Sequence, residues 1–484
     1  MAILGVFLTL LWTGLSLGQT APAVAELVVD GTNVLQVTTG LVRYQFTPEG
    51  TLRSAYVHFA PYGARAVETV PGWQENRLAP GVSLPFEVWL GEAPLPALWT
   101  WEAARAGGDA LAVTGRPEGG AVRGEKRFLL RQNALYTGDF QVHLEAPGLL
   151  RLVLGHLPSG KDAPELLYLY DGKVHKAPLA PGAYVRFQGL GLVGRETVFF
   201  FRLDEGEVEP FVGRNPAGQP VFGVEARGAL RLRGAFYMGR NRYLLLKDGG
   251  FAPLAQGGPF TLILAGVIRF FEALYALTGN YGWAIILFTL ITRVLLHPLT
   301  RSQFRSLAKM QRLAPKIKKL QERFKDDRET LQRQLMELYR QEKVNPLGGC
   351  LPLLLQFPLL ILLWQAIVYS AERIHLSPGF LWLRDLSQPD PYYLLVVLGT
   401  GVQLLYQWYT QRRMPAEAPG ASQVLGYLFP LVMALFFLNF PAGLWLYWTF
   451  ATVFQFGQQL LIDWEMAREE AKARAGTDDG SPSP

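Results

Sequence analysis

The stretch "ILFTLITRVLLHPLT", Ile286–Thr300, is apolar at almost every position, yet it holds Arg293. A guanidinium cannot shed its proton to escape a low dielectric. The run is therefore either a membrane span with a reason to carry a permanent charge, or no span at all. It reads as the second half of a span, Tyr281–Leu299. Arg293 lies six residues from Leu299, about 9 Å below the nearer surface at about 1.5 Å per residue. Thr289, Arg293 and His297 are four apart, which predicts one stripe on one helix face.

Four more apolar runs follow, roughly Leu351–Tyr369, Tyr392–Tyr409, Val424–Phe440 and Gly443–Ile462. Each suits a hydrocarbon core of about 30 Å. Half of the 484 residues are hydrophobic and 18% are charged, against about a quarter charged in soluble domains. Between the first two runs, Thr300–Asn345 carries 13 Lys and Arg against 6 Asp and Glu, so it belongs in the cytoplasm. The loop Ala371–Pro391 then falls outside, the next inside loop begins at Arg412 and Arg413, and the C-terminus is inside. "PFTLILAGVIRFFEALYALTG", Pro259–Gly279, is also apolar but carries Arg269 and Glu272 near its middle. If it spanned, everything before it would share a side with the basic loop. It is read instead as an amphipathic helix on the outer surface.

The basic loop has its own order. Met310, Leu313, Ile317, Leu320 and Phe324, then Leu331, Leu335 and Leu338, recur at three- and four-residue spacing. This predicts an antiparallel helical hairpin over residues 301–345. Asp326 or Asp327 is placed to cap its second helix.

Gln356, Gln403, Gln407, Thr452, Gln455 and Gln459 all lie in the inner halves of their runs, and Asn439 is the exception near the outer surface. Taken one by one, such residues are interhelical glue, and Arg293 is within snorkelling reach of the interface. Taken together they describe a wet cavity, open to the cytoplasm, that stops partway across. None of the five runs contains Asp or Glu, so water or an incoming acidic group is the expected partner of Arg293. Leaving that charge dry costs about 3 kcal/mol on insertion scales.

Ahead of the helices, residues 26–250 alternate in the β manner, as in "VLQVTTGLVRYQFTPEGTLRSAYV", with Gly and Pro turns at sandwich spacing. They are read as one exported all-β domain. Residues 1–25 begin with an apolar run, Ala2–Leu17, and are read as a signal sequence cut after Ala25 or as a retained transmembrane anchor. Cys350 is the only cysteine and the six His are scattered, so no disulfide, no metal and no cofactor is expected. No phosphate-binding Gly-Lys loop is present, so no nucleotide hydrolysis and no enzyme is expected.

Five segments carry a resemblance: "TRVLLHPLT", "AKMQRLAPKIKKLQERFKDD", "EKVNPLGGCLPLLLQFPLLILLW", "LWLRDLSQPDPYYLL" and "FFLNFPAGLWLYW". In order and spacing, over about Gly279–Ile462, they resemble the YidC-type membrane protein insertases of the YidC/Oxa/Alb family. The resemblance implies a polytopic α-helical membrane protein with a five-helix insertase core in residues 280–462. It further implies an N-terminal anchor and a large exported β-supersandwich domain, as in Gram-negative-type members. The groove would hold Arg293, Thr289, Gln356, Gln403, Thr452, Gln455 and Tyr447, and the hairpin would recruit substrate through Lys316, Lys318 and Lys319. The expected site is the bacterial inner membrane, with residues 26–250 periplasmic and the C-terminus cytoplasmic. Expected partners are nascent membrane proteins, the Sec translocon, the ribosome and signal recognition pathway, and the lipid bilayer. No nucleic-acid role beyond the ribosome is implied. Residues 463–484 depart from relatives with a basic tail, carrying 3 Lys and Arg against 6 Asp and Glu. Ribosome contact is therefore assigned to the hairpin.

Two other classes would share some of these features. A solute transporter would also line a path with polar residues, but no inverted repeat and no outer-half polar path is found. A membrane-anchored sugar-binding protein would use the β domain, but no convergent acid pair or His/acid constellation can be assigned there.

Overall fold

The structure, a computed structural model, describes residues 21–74, 77–176, 187–325, 327–341, 351–412 and 420–478. Two compact units part between Ala265 and Gly266.

The first unit is all-β up to Arg240. Among the described residues, a five-stranded antiparallel sheet comes first, running from Ala23–Val29 through Val67–Glu68. A twelve-stranded sheet follows. Its spine is the pairing of two long strands, Thr137–His156 with Pro220–Arg240, which begins at Thr137 opposite Tyr237 and ends at His156 opposite Val221. Phe140, Val142 and Leu144 are buried, while Gln141, His143 and Glu145 between them face out. That is the period of two of a half-covered strand. A bulge between Glu145 and Leu149 breaks the register, and from Leu152 to Gly155 both faces are buried.

Aromatic rings close the layer between the sheets. Phe46 of the small sheet meets Phe128 of the large one at 5.1 Å, and Tyr44 meets Phe236 at 5.9 Å. Phe86 packs edge-on against Phe128, Phe140 and Phe201. Among them sits one cation. Lys126 is fully buried, donates to the carbonyls of Gly50 at 2.8 Å and Phe86 at 2.7 Å, and lies 3.7 Å above the Trp99 ring. Gly50 is needed on two counts. Its φ is +78°, and a Cβ there would stand 2.5 Å from Trp99. The Pro48-Glu49-Gly50 turn and Lys126 thus lock each other.

The second unit is helical. The helix Pro259–Thr278 enters it, followed by the first core helix, Tyr281–Leu295. The hairpin helices are His297–Arg323 and Arg328–Gln341. The remaining core helices are the second, Leu351–Tyr369, the third, Leu394–Gln411, the fourth, Gly420–Phe436, and the fifth, Ala442–Asp478. The first is shorter than its apolar run. Pro298 has no N–H for the carbonyl of Val294 and its ring crowds that turn, so the helix stops at Leu295 and a new one starts at His297. The stripe of Thr289, Arg293 and His297 therefore crosses a break. The fifth helix is longer than its run and continues through the acidic segment to Asp478. By length and composition alone, Pro259–Thr278 is the one described helix able to cross a bilayer.

Burial holds the Lys126 ammonium well below the usual lysine range, with Glu87 opposing the shift. Unfolding therefore takes up protons, and stability rises with pH toward the free lysine value of about 10.4. Lys126→Met should lower the stability of the β unit at pH 7 by about 2 kcal/mol, because two buried carbonyls lose their donor. It should also flatten the slope between pH 7 and 10. Thermal unfolding followed by tryptophan fluorescence checks both; an unchanged midpoint and slope would contradict them.

Candidate functional site

The first core helix has two unlike ends. At its start, the Asn280 side chain accepts from the Gly282 amide at 2.8 Å and donates to the Gly379 carbonyl at 2.8 Å. Gly282 admits the Phe380 ring, for a Cβ there would lie 2.1 Å from it. The loop that carries Phe380 stitches further ends together. Leu386 and Gln388 carbonyls accept from Gly443 and Ala442 at 2.8 and 2.7 Å, at the start of the fifth helix. Asp390 is buried and accepts from the Leu395 amide at 2.7 Å and the Tyr392 amide at 3.0 Å, at the start of the third. Asp385 holds His375 at 2.8 Å and Ser387 at 2.6 Å. Every polar group named here is satisfied within the loop or by a helix end, which makes a rigid plug.

The other end is built from phenols and amides. Thr289 is buried and donates to the Ile285 carbonyl at 2.7 Å, so it is satisfied on its own helix. Arg293, one turn on, is half-buried and has the Tyr406 and Tyr447 phenols as electrostatic neighbours. Tyr406 accepts a hydrogen bond from Gln455 Nε2 at 3.1 Å. Tyr447, Thr452 and Gln403 are buried, and Thr452 donates to the Trp448 carbonyl at 2.9 Å. The structure thus brings Tyr406 and Tyr447 to Arg293, and Gln455 to it through Tyr406. Thr289, Thr452 and Gln403 lie within a turn of these residues on their helices. The side chains of Gln356, Lys318 and Met310 are outside what the structure describes, as is the whole of Asp326.

Two participants carried only weak sequence signals. Tyr406 sits three residues from Gln403, but an aromatic in an apolar run reads as lipid-facing. Gln458 shares its face with Gln455, three residues away. It donates through Nε2 to the Arg293 carbonyl at 2.9 Å and meets His297 Nδ1 at 3.3 Å.

Beyond the site, Asp327 caps the second hairpin helix, accepting from the Thr330 amide at 3.0 Å. Hydrogen bonds from the Thr330 side chain and, less, its amide hold the carboxyl below the usual range. Leu313 is buried and Leu331, Leu335 and Leu338 are half-covered, while Lys316 and Lys319 are exposed. Arg301, at the hairpin base, pairs with Glu465 of the fifth helix at 2.7 Å, and Tyr409 donates to Asp463 at 3.1 Å.

Known proteins share this helical arrangement in sequence. The family described as 60Kd inner membrane protein matches residues 273–469. The helical part of the chain is similar to the YidC-type insertases. The membrane protein insertase YidC of Geobacter sulfurreducens is 40% identical over 215 residues, 44% of this chain and 40% of that protein. That of Shewanella halifaxensis is 45% identical over 188 residues, 39% of this chain and 34% of that protein. The matches to these curated YidC proteins therefore span well under two thirds of their length. Two solved structures share the fold more widely. An active YidC insertase with its first transmembrane domain resolved covers 94% of this chain and 97% of its own, at TM-score 0.60 and 24% identity. YidC from Thermotoga maritima covers 90% of this chain and 99% of its own, at TM-score 0.52 and 19% identity. The YidC-type match spans Arg293, its phenols, the plug and Gln458; the fold likeness extends over the β unit as well.

Gly282→Val should displace Phe380 and loosen the plug. With Cys350 replaced by Ser, a cysteine at the buried Ser387 position should be inert to thiol reagents in the parent and reactive in the variant. Inertness in both would show that the plug does not depend on this contact.

Proposed function

We propose that the chain inserts nascent membrane proteins into the bacterial inner membrane through a groove that is wet from the cytoplasm and closed outside. The single observation that carries this is a permanent cation whose neighbours are phenols and amides, in a bundle whose opposite end is plugged. Moving a polar tail across hydrocarbon strips its charges and backbone of water. A half-depth wet groove shortens the dry distance. Arg293 draws an acidic tail in, the substrate's apolar helix leaves to lipid past the second and fourth helices, and its burial drives the process. The membrane potential pulls negative residues outward, by about 2.3 kcal/mol per charge per 100 mV.

The positive charge of the loop supports a cytoplasmic hairpin and fifth-helix end, with the β unit outside. The helix Pro259–Thr278 is then interfacial despite its length. Its central Glu272 is held by Arg269 at 2.7 Å and by Arg373. Arg373 lies in the short helix Ala371–His375, just past the end of the second core helix. A spanning helix would carry its midpoint at the bilayer centre instead. The hairpin is assigned contact with ribosomes, the signal recognition pathway or acidic substrate segments, with the Sec translocon as a further partner. The start of the acidic segment is engaged elsewhere, through the bonds of Asp463 and Glu465 to the core and the hairpin base.

One insertion assay tests the groove, using a single-span substrate with an acidic or a neutral tail. Arg293→Ala should remain folded and lose insertion of the acidic-tail substrate about tenfold or more, with little loss for the neutral one. Arg293→Lys should retain much of the activity, because a point charge suffices where no bidentate fork is needed. Equal insertion of both substrates by Arg293→Ala would refute the receiver role. For the hairpin, changing Lys316, Lys318 and Lys319 together to Glu should weaken crosslinking to ribosomes or acidic segments severalfold; unchanged crosslinking would refute recruitment.

A further inference from the structure

We infer that Gln458 is a positioning residue for Arg293, acting on its backbone rather than on substrate; the functional half of this inference rests on the groove reading above. Pro298 breaks the first core helix one turn after Arg293, and the Leu296 amide turns back to the Thr292 carbonyl at 3.0 Å. A helix end packed against another helix has carbonyls to satisfy. Gln458, from the fifth helix, supplies a donor there, with Nε2 at 2.9 Å from the Arg293 carbonyl.

The amide's orientation is fixed by chemistry. A carbonyl oxygen only accepts, so the nitrogen of Gln458 must face it. The same nitrogen stands 3.3 Å from His297 Nδ1, which makes that ring nitrogen an acceptor. One side chain therefore bridges the last turn before the break and the first residue after it. Gln458 Oε1 is left buried, with no hydrogen-bond donor among the described residues. That cost is tolerated only if the nitrogen's two contacts matter to the arrangement. On the Asn280 side, Thr289 ties itself to its own helix. Gln458 is thus the described bond from another helix that reaches the Arg293 turn, and it sets the direction from which the guanidinium leaves the helix.

Gln458→Met keeps the length and removes the donor. Amide hydrogen exchange over residues 291–297 in the full-length protein reads the positioning without any insertion assay, and should speed up about tenfold. Insertion of the acidic-tail substrate should fall severalfold, as in Arg293→Ala, with the neutral-tail substrate unaffected; a purely structural role would reduce both alike. Unchanged exchange overturns the inference whatever insertion does. Faster exchange with acidic-tail insertion intact, while Arg293→Ala still loses it, overturns the functional half and leaves the groove reading standing. If Arg293→Ala is also silent, the groove reading fails while Gln458 still holds the turn. Gln458→Ala, which lets water reach the carbonyl, serves should the Met variant not fold, and the same outcomes decide.

Discussion

Arginine keeps its charge under all conditions the protein meets, and a charge in hydrocarbon must be wet, paired or expelled. Arg293 sits in a helix with no carboxylate in any of the five apolar runs. Much of the helical unit follows from that constraint. The Tyr406 and Tyr447 phenols, from the third and fifth helices, neighbour it without cancelling its charge, and Gln455 bonds to Tyr406. The opposite end is closed by a loop whose polar atoms bond to the loop and to helix ends. Proline ends the helix one turn beyond Arg293, and a glutamine from the fifth helix takes up its carbonyl.

How much of this could be read from the residues varies with the range of the interaction. The β-to-helix change, the Pro48-Glu49-Gly50 turn and the Asp327 cap are local. Each depends on a few adjacent residues, and each reads correctly. The limits of the helices do not follow from hydropathy. Leu296 and Leu299 are as apolar as the residues before them, but Pro298 ends the helix. Beyond Ile462 the chain turns polar, yet its Glu, Ala and Arg favour helix and it continues to Asp478.

Long-range pairings were the least legible. Spacing puts Arg293 and the fifth-helix amides on helix faces, but not that Gln455 would find Tyr406, nor that Gln458 would find the Arg293 carbonyl. Lys126 reads as one more surface lysine in "GEKRF", and only the packed sandwich shows it between Gly50, Phe86 and Trp99. The acidic segment misleads in a similar way. Summed charge gives only its acidic balance, whereas Asp463 and Glu465 bond to Tyr409 and Arg301.

The central claim is a groove wetted from one side only, and the single cysteine makes it directly measurable. With Cys350 replaced by Ser, single cysteines at Arg293, Tyr406 and Gln455 can be challenged by a membrane-impermeant thiol reagent. The reagent is offered either to inverted vesicles or to cells with a permeabilised outer boundary. The account predicts labelling at all three positions from the cytoplasmic side and none from the outside. Labelling from the outside, or from neither side, would contradict it.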